Sequence, residues 1–141
     1  PSHSPVIPRF LSQALGNGSL VIFGDGTQTR DFVYVSDVVR ALIAAMDVDT
    51  PEHTTINVGS GVEVAIHDLA EEIVRQTGAG SNLIYSPVGS GGVQRLGADL
   101  SRAKRLLDYE PEVSLAEGVR RILQEDPRFR DQTDRRKTAA K

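Results

Sequence analysis

Apolar residues recur at helical spacing near the start of the chain. Val6, Ile7, Phe10, Leu11, Ala14 and Leu15 share one face over residues 5–15, and Gly16 or Gly18 stops the helix. The run Leu20-Val21-Ile22-Phe23 predicts a strand entering a turn at Gly24-Asp25-Gly26. Residues 32–35, aromatic and β-branched, predict a second strand-like piece. Ser36 is placed to cap a helix over residues 37–46, with Asp37 in its first turn. Residues 54–58 read as a buried strand leading into Gly59-Ser60-Gly61. Ile66, Leu69, Ala70, Ile73 and Val74 line one face of a helix over residues 66–77, stopped by Gly78, and residues 83–85 make a short strand. Asp99 caps a helix over residues 100–107. Ser114 and Glu117 stand at capping-box spacing before a last helix.

The resulting order, α-β-β-α-β-α-β-α-α, predicts a mixed α/β architecture of short strands and about five helices. Its sheet is incomplete as a standalone unit, because the first helix follows no strand and the strand edges need partners. A length of 141 residues holds one compact domain. With 39 % apolar and 25 % charged residues, the composition is globular rather than disordered. The lack of cysteine excludes disulfides, thiolate metal sites and a cysteine nucleophile. Apolar runs such as residues 41–46 fall far short of the ~20 residues of a membrane span. With no charged-then-apolar leader, the cytoplasm is the default location. The opening Pro1 hints at something removed upstream.

Charge divides the chain. Residues 126–141 carry six Lys/Arg and three Asp, leaving a net of −6 on residues 1–125 within a total of −3. An acidic body argues against a nucleic-acid groove. The polar, basic tail reads as a disordered terminus, so the predicted organisation is a folded region over residues 1–125 followed by that tail.

Chemistry is harder to find. Gly24-Asp25-Gly26, Gly59-Ser60-Gly61 and Gly89-Ser90-Gly91-Gly92 are phosphate-cradle candidates, yet none completes G-x-G-x-x-G or a P-loop. Gly59-Ser60-Gly61 carries the most weight, because it leaves the C-terminal end of a predicted strand. Asp25, Asp31 and Asp37 lie six apart, but turn and helix-start positions give Asp25 and Asp37 ordinary structural jobs. His3, His53 and His67 match no metal-ligand spacing and are placed on the surface. No metal site is predicted. Arg30 sits among residues expected to be buried and needs an anion there, either Asp31 or Asp37 in a salt bridge or a bound phosphate.

One stretch, Phe23-Gly24-Asp25-Gly26-Thr27-Gln28-Thr29-Arg30-Asp31-Phe32-Val33-Tyr34-Val35-Ser36-Asp37, closely resembles the signature of the extended short-chain dehydrogenase/reductase family. That family comprises NAD-dependent nucleotide-sugar epimerases, dehydratases and decarboxylases. Ile56-Asn57-Val58-Gly59-Ser60-Gly61 resembles its late sheet strand and turn, and Ala98-Asp99-Leu100-Ser101 opens a helix similar to its A-D-x-S motif. Tyr109-Glu110-Pro111 and Ser114-Leu115-Ala116-Glu117-Gly118 resemble the family's ending. The resemblance covers about residues 5–124 and implies the C-terminal, substrate-binding portion of a Rossmann-like enzyme.

It also implies roles. Val6, Ile7, Pro8 and Phe10 border the nucleoside base of a UDP- or dTDP-sugar, with Val21 and Phe23 as the apolar edge against the ring. Arg30 meets the diphosphate, and Asn57 lies near the ligand end of the sheet. The family's R-x-G-D is missing, its arginine falling on Gly89 and its aspartate on Gly92. Arg95 is the nearby substitute, for which an ordinary salt bridge suits equally well. NAD belongs to the complete enzyme and is not bound by this chain alone. Tyr34, Tyr85 and Tyr109 are followed four residues on by Val38, Gly89 and Val113, so no Tyr-x-x-x-Lys pair exists and no catalytic residue is assigned. The expected partner is the missing Rossmann half, or a second copy pairing through an exposed sheet edge. The alternative reading is a standalone, non-catalytic nucleotide-binding or protein-interaction module.

Overall fold

The computed structural model describes residues 5–48, 54–87 and 92–139. His3, His53 and the glycine run at 89–91 lie outside them. Six helices and four strands follow in the order α1 (Val6–Leu15), β1 (Leu20–Phe23), β2 (Thr29–Asp31), α2 (Val35–Met46), β3 (Glu63–Ala65), α3 (Ile66–Thr77), β4 (Leu83–Ser86), α4 (Ser101–Leu107), α5 (Leu115–Glu125) and α6 (Pro127–Ala139). Among the described residues the strands form two separate pairs, β1 with β4 and β2 with β3. The chain divides into two interleaved units. One draws on Pro1–Gln28, Ala65–Gln94 and Val119–Lys141; the other draws on Thr29–Val64 and Arg95–Gly118.

In the first unit β1 and β4 run parallel, with Leu20 opposite Leu83 and Phe23 opposite Ser86. Leu20 and Ile22 are fully buried, as are Phe10, Leu11 and Ala14 of α1 and Leu69, Ala70 and Ile73 of α3. Pro8 is the third residue of α1. It is tolerated there because a first-turn N–H has no intrahelical acceptor. Gly78 ends α3 at φ 61°, a left-handed conformation that suits glycine. Within the expected tail, Pro127–Ala139 form α6. Asp126 Oδ1 accepts the Arg128 N–H at 2.9 Å, Pro127 occupies the first helical position and Phe129 is buried at 3 % exposure. One aromatic anchor and a good start signal outweigh the polar composition.

The second unit packs around Ala41, Ala103, Leu107 and Tyr109, with Ala44, Val48, Ile56, Val58, Leu100 and Leu106 against them. Several sequence expectations fail here. The strand lies at Thr29–Asp31 rather than at residues 32–35, which lead irregularly into α2. Helix α2 begins at Val35, so Ser36 lies inside it; Tyr34 is the boundary residue and makes no side-chain cap. Residues 54–58 alternate between half-buried and exposed, as a strand would, but belong to none of the four strands among the described residues. β-Branched composition fits a pleated surface, but a ladder needs a second strand as well. The Ser114 cap is present, whereas α4 begins at Ser101 with Leu100 as its boundary residue, so Asp99 stands one residue before the cap position. Asp99 Oδ1 accepts the Ser101 N–H at 2.9 Å, and Ser114 Oγ accepts the Glu117 N–H at 3.2 Å.

Candidate functional site

The second unit is organised around a carboxylate. Asp31, at the end of β2, accepts the N–H of Ser60 at 2.7 Å and its hydroxyl at 2.6 Å through Oδ1. Its Oδ2 accepts the N–H of Gly61 at 3.0 Å and of Ala98 at 3.3 Å. Partial burial, the largest single effect, acts to raise the Asp31 pKa; the bonds from Ser60, Ala98 and Gly61 together outweigh it and hold it below the ordinary value. Glycine is required beside it, because a Cβ at Gly59 would lie 2.6 Å from both Asp31 Oδ2 and Ala98 Cβ. Tyr109 Oη donates to the Gly59 carbonyl at 2.7 Å and holds the turn from behind.

This arrangement changes the meaning of Gly59-Ser60-Gly61. The amides expected to cradle a phosphate do cradle an anion, but it is a side chain of the same protein. A concave site of about 440 Å³ lies alongside, lined by Asp31, Val33, Asn57, Gly59, Leu96 and Ala98. Asn57 is exposed at its wall, and Arg30 precedes Asp31 on β2, half-buried, with Nη1 donating to the Thr29 carbonyl at 2.6 Å.

Arg95 belongs to another cluster. Its Nε and Nη2 form a fork on Glu63, 3.1 Å from Oε2 and 2.7 Å from Oε1, and Thr29 Oγ1 donates to Oε2 at 2.5 Å. These contacts, led by the Arg95 hydrogen bonds, pull the Glu63 pKa down to about 2. With a depressed pKa, the pair's contribution to folding is complete above the ordinary glutamate value and fades as pH falls through about 2. An NMR titration should find the Glu63 midpoint there. Arg95→Ala should return it most of the way to 4.5, and an unmoved midpoint would refute the assignment.

The first unit holds the other predicted residues. Val6, Ile7 and Pro8 are half-buried on the first turn of α1; Val21 is half-buried and Phe23 is 36 % exposed on β1. Phe10 is fully buried in the core. Arg9, which the sequence reading passed over, ties these pieces together. Its Nη2 donates to the Val21 carbonyl at 3.3 Å and its guanidinium lies 4.7 Å from the Phe23 ring centre. The missed signal was a lone arginine on an otherwise apolar helix start.

The turn Gly24-Asp25-Gly26 is structural, with Asp25 Oδ1 accepting the Thr27 N–H at 3.0 Å. His67, Asp68 and Glu71 bring ligand atoms within 4.8 Å of one another. Both nitrogens of the His67 ring already meet protein partners, Nδ1 at 2.6 Å from Tyr85 Oη and Nε2 at 3.2 Å from Glu71.

The family model for GDP-mannose 4,6-dehydratase matches residues 3–122. The chain belongs to that family. It is thereby a member of the extended short-chain dehydrogenase/reductases, as the motifs implied. A putative UDP-glucose 4-epimerase of Methanocaldococcus jannaschii is 37 % identical over 118 residues, which are 84 % of this chain and 37 % of the relative. Among solved structures, an epimerase of Methanothermobacter thermautotrophicus superimposes with a TM-score of 0.84 at 33 % identity, over 95 % of this chain and 40 % of its own. A UDP-glucuronic acid 4-epimerase of Bacillus cereus, solved with UDP-glucuronic acid and NAD, gives 0.78 at 30 % identity over 94 % and 40 %. The chain thus spans about two fifths of the length of these relatives. Among the described residues, no helix is long and apolar enough to cross a membrane.

Proposed function

We propose that this chain is the nucleotide-sugar-binding, C-terminal portion of an NAD-dependent epimerase or dehydratase. The observation that carries this reading is the match, over nearly the whole chain, to enzymes solved with UDP-sugars and NAD, alongside coverage of only two fifths of their length. The ligand is a UDP- or dTDP-sugar. Within the second unit, Arg30 supplies the bidentate cation for its diphosphate and Asn57 a polar contact at the concave site.

The residues present do not fit NAD. In the Gly59-Ser60-Gly61 turn the amides of Ser60 and Gly61 are committed to Asp31, whose negative charge opposes a pyrophosphate at the same place. The chain also offers no Tyr-x-x-x-Lys pair for proton transfer. Its own part in the reaction is therefore to bind and orient the nucleotide sugar, and alone it performs no oxidation or reduction.

Calorimetric titration with UDP, dTDP and UDP-glucuronic acid tests this. Saturable binding is expected, weakened roughly tenfold to a hundredfold by Arg30→Ala, the equivalent of losing about 1.5–3 kcal/mol of charge-assisted bonding. NAD should give no saturable signal. Absence of nucleotide binding, or an Arg30→Ala protein that binds as tightly as its parent, would reject the proposal.

A further inference from the structure

Tyr85 lies on β4 and His67 in the first turn of α3. Tyr85 Oη is 2.6 Å from His67 Nδ1, and the other ring nitrogen, Nε2, is 3.2 Å from Glu71 Oε1 one turn further along α3. An ionised carboxylate only accepts, so Nε2 of the neutral ring carries the hydrogen and donates it to Glu71. Nδ1 then keeps its lone pair and accepts from the Tyr85 hydroxyl. Phenol, imidazole and carboxylate thus form one directed chain: a nucleophile, a base within reach of its proton, and an acid that orients the base. The backbone brings them together. The His67 N–H donates to the Gly26 carbonyl at 3.0 Å. A Cβ at Gly26, where φ is 81°, would stand 3.2 Å from His67 Cβ and 3.3 Å from Tyr85 Cε1, so glycine leaves room for the two rings to stack with centres 6.3 Å apart. The phenol is open to reagents as well. Tyr85 is 45 % exposed, whereas Tyr109 is buried and Tyr34 half-buried.

We propose that Tyr85 is an acyl-acceptor site for neutral activated esters, with His67 as its general base and Glu71 positioning the imidazole. The phenol oxygen attacks the ester carbonyl carbon as its proton passes to His67 Nδ1. A C–O bond forms to Tyr85, the C–O bond to the leaving group breaks, and the leaving oxygen takes the proton from His67. Nothing is oxidised or reduced, and the ester carries the whole acyl group. Glu71 keeps the imidazolium paired while it holds the proton. Charge selects the donor. The carboxylates of Asp68 and Glu71 and the His67 ring bring nitrogen and oxygen atoms within 4.8 Å of one another. Two negative charges there repel a phosphoryl group or an acyl phosphate, whereas a neutral ester meets no such opposition.

The test treats the full 141-residue chain with para-nitrophenyl acetate in the absence of nucleotide, and locates the label by intact mass and peptide fragments. One acetyl group on Tyr85 is expected, formed ahead of any on Tyr34, Tyr109 or a lysine. Tyr85→Phe should abolish it. His67→Gln should slow labelling by about a hundredfold and remove its solvent isotope effect, the mark of proton transfer in the rate-limiting step. Glu71→Gln should slow it by roughly tenfold or more. These side chains all reach solvent, so the variants should melt with the parent. Acetyl phosphate, the anionic donor, should label Tyr85 faster once Asp68→Asn removes one charge, while the ester rate stays as it was. The proposal is overturned if acetyl groups fall evenly over the lysines, or if His67→Gln labels at the parental rate with its isotope effect intact. Nitrophenol release undiminished in Tyr85→Phe would overturn it too, because the imidazole would then be the nucleophile. An equal response of both donors to Asp68→Asn would overturn the choice of a neutral ester.

Discussion

Replacing Asp31 with alanine should destabilise the protein by on the order of 3 kcal/mol, read as a fall of roughly 10 °C in the melting temperature. The carboxylate accepts four hydrogen bonds, three of them from backbone amides on segments 29, 30 and 67 residues away. Removing it leaves those amides without their acceptor in a partly buried site. A hydrogen bond to a charged group contributes about 1.5–3 kcal/mol, and the four act as a unit rather than as a sum. Asp31→Asn should recover little, because an amide turns N–H groups toward donors that need an acceptor. The depressed pKa sets the direction with pH. The bonds contribute fully above the ordinary aspartate value and are lost as pH falls through the lowered one, so the gap between parent and variant should narrow in acid. A variant that melts with the parent at neutral pH would show that the turn is held without its carboxylate.

Asp37→Ala should cost a similar amount, about 3 kcal/mol, for a different reason. The side chain is 1 % exposed and receives Arg40 Nη2 at 2.9 Å on one oxygen. The amides of Glu112 and Val113 reach the other at 3.2 and 3.1 Å. Arg40 also reaches Glu112 and the Glu110 carbonyl, and its exposure lets water replace part of what it loses. The buried amides have no such replacement. Adding Arg40→Ala to Asp37→Ala should therefore recover little of the loss, and chemical denaturation of the two variants measures the difference. Full recovery would place the cost on the ion pair instead.

Both carboxylates were visible in the sequence, and their jobs were only half legible. Asp37 was expected at a helix start, where it lies, but its side chain turns inward to a loop 75 residues away. Composition carries no trace of such a partner. Asp31 was counted among weak acid–base candidates and Gly59-Ser60-Gly61 among phosphate cradles; neither reading pointed to the other, because contact across 29 residues has no local signature. Local signals did better. The faces of α1 and α3, the turn at Asp25 and the cap at Ser114 depend on near neighbours and were read correctly. The strand expected at residues 54–58 is not among the four strands of the described residues, because a strand is a property of two segments and composition reports only one. The helix beyond residue 126 was missed because a single buried aromatic, Phe129, decides it against a polar average.

The interleaving of the two units fixes an order of events during synthesis. The unit containing Asp31 and Asp37 has all its segments once Gly118 has been made. The other has Pro1–Gln28 and Ala65–Gln94 by then, yet still lacks Val119–Lys141. The nested unit can therefore close on the ribosome while Phe10, Leu11 and Leu20, buried in the finished protein, still await their last covering segment. A truncation just after Gly118 would spare the later-made sequence's smaller neighbour and strand the part that was translated first.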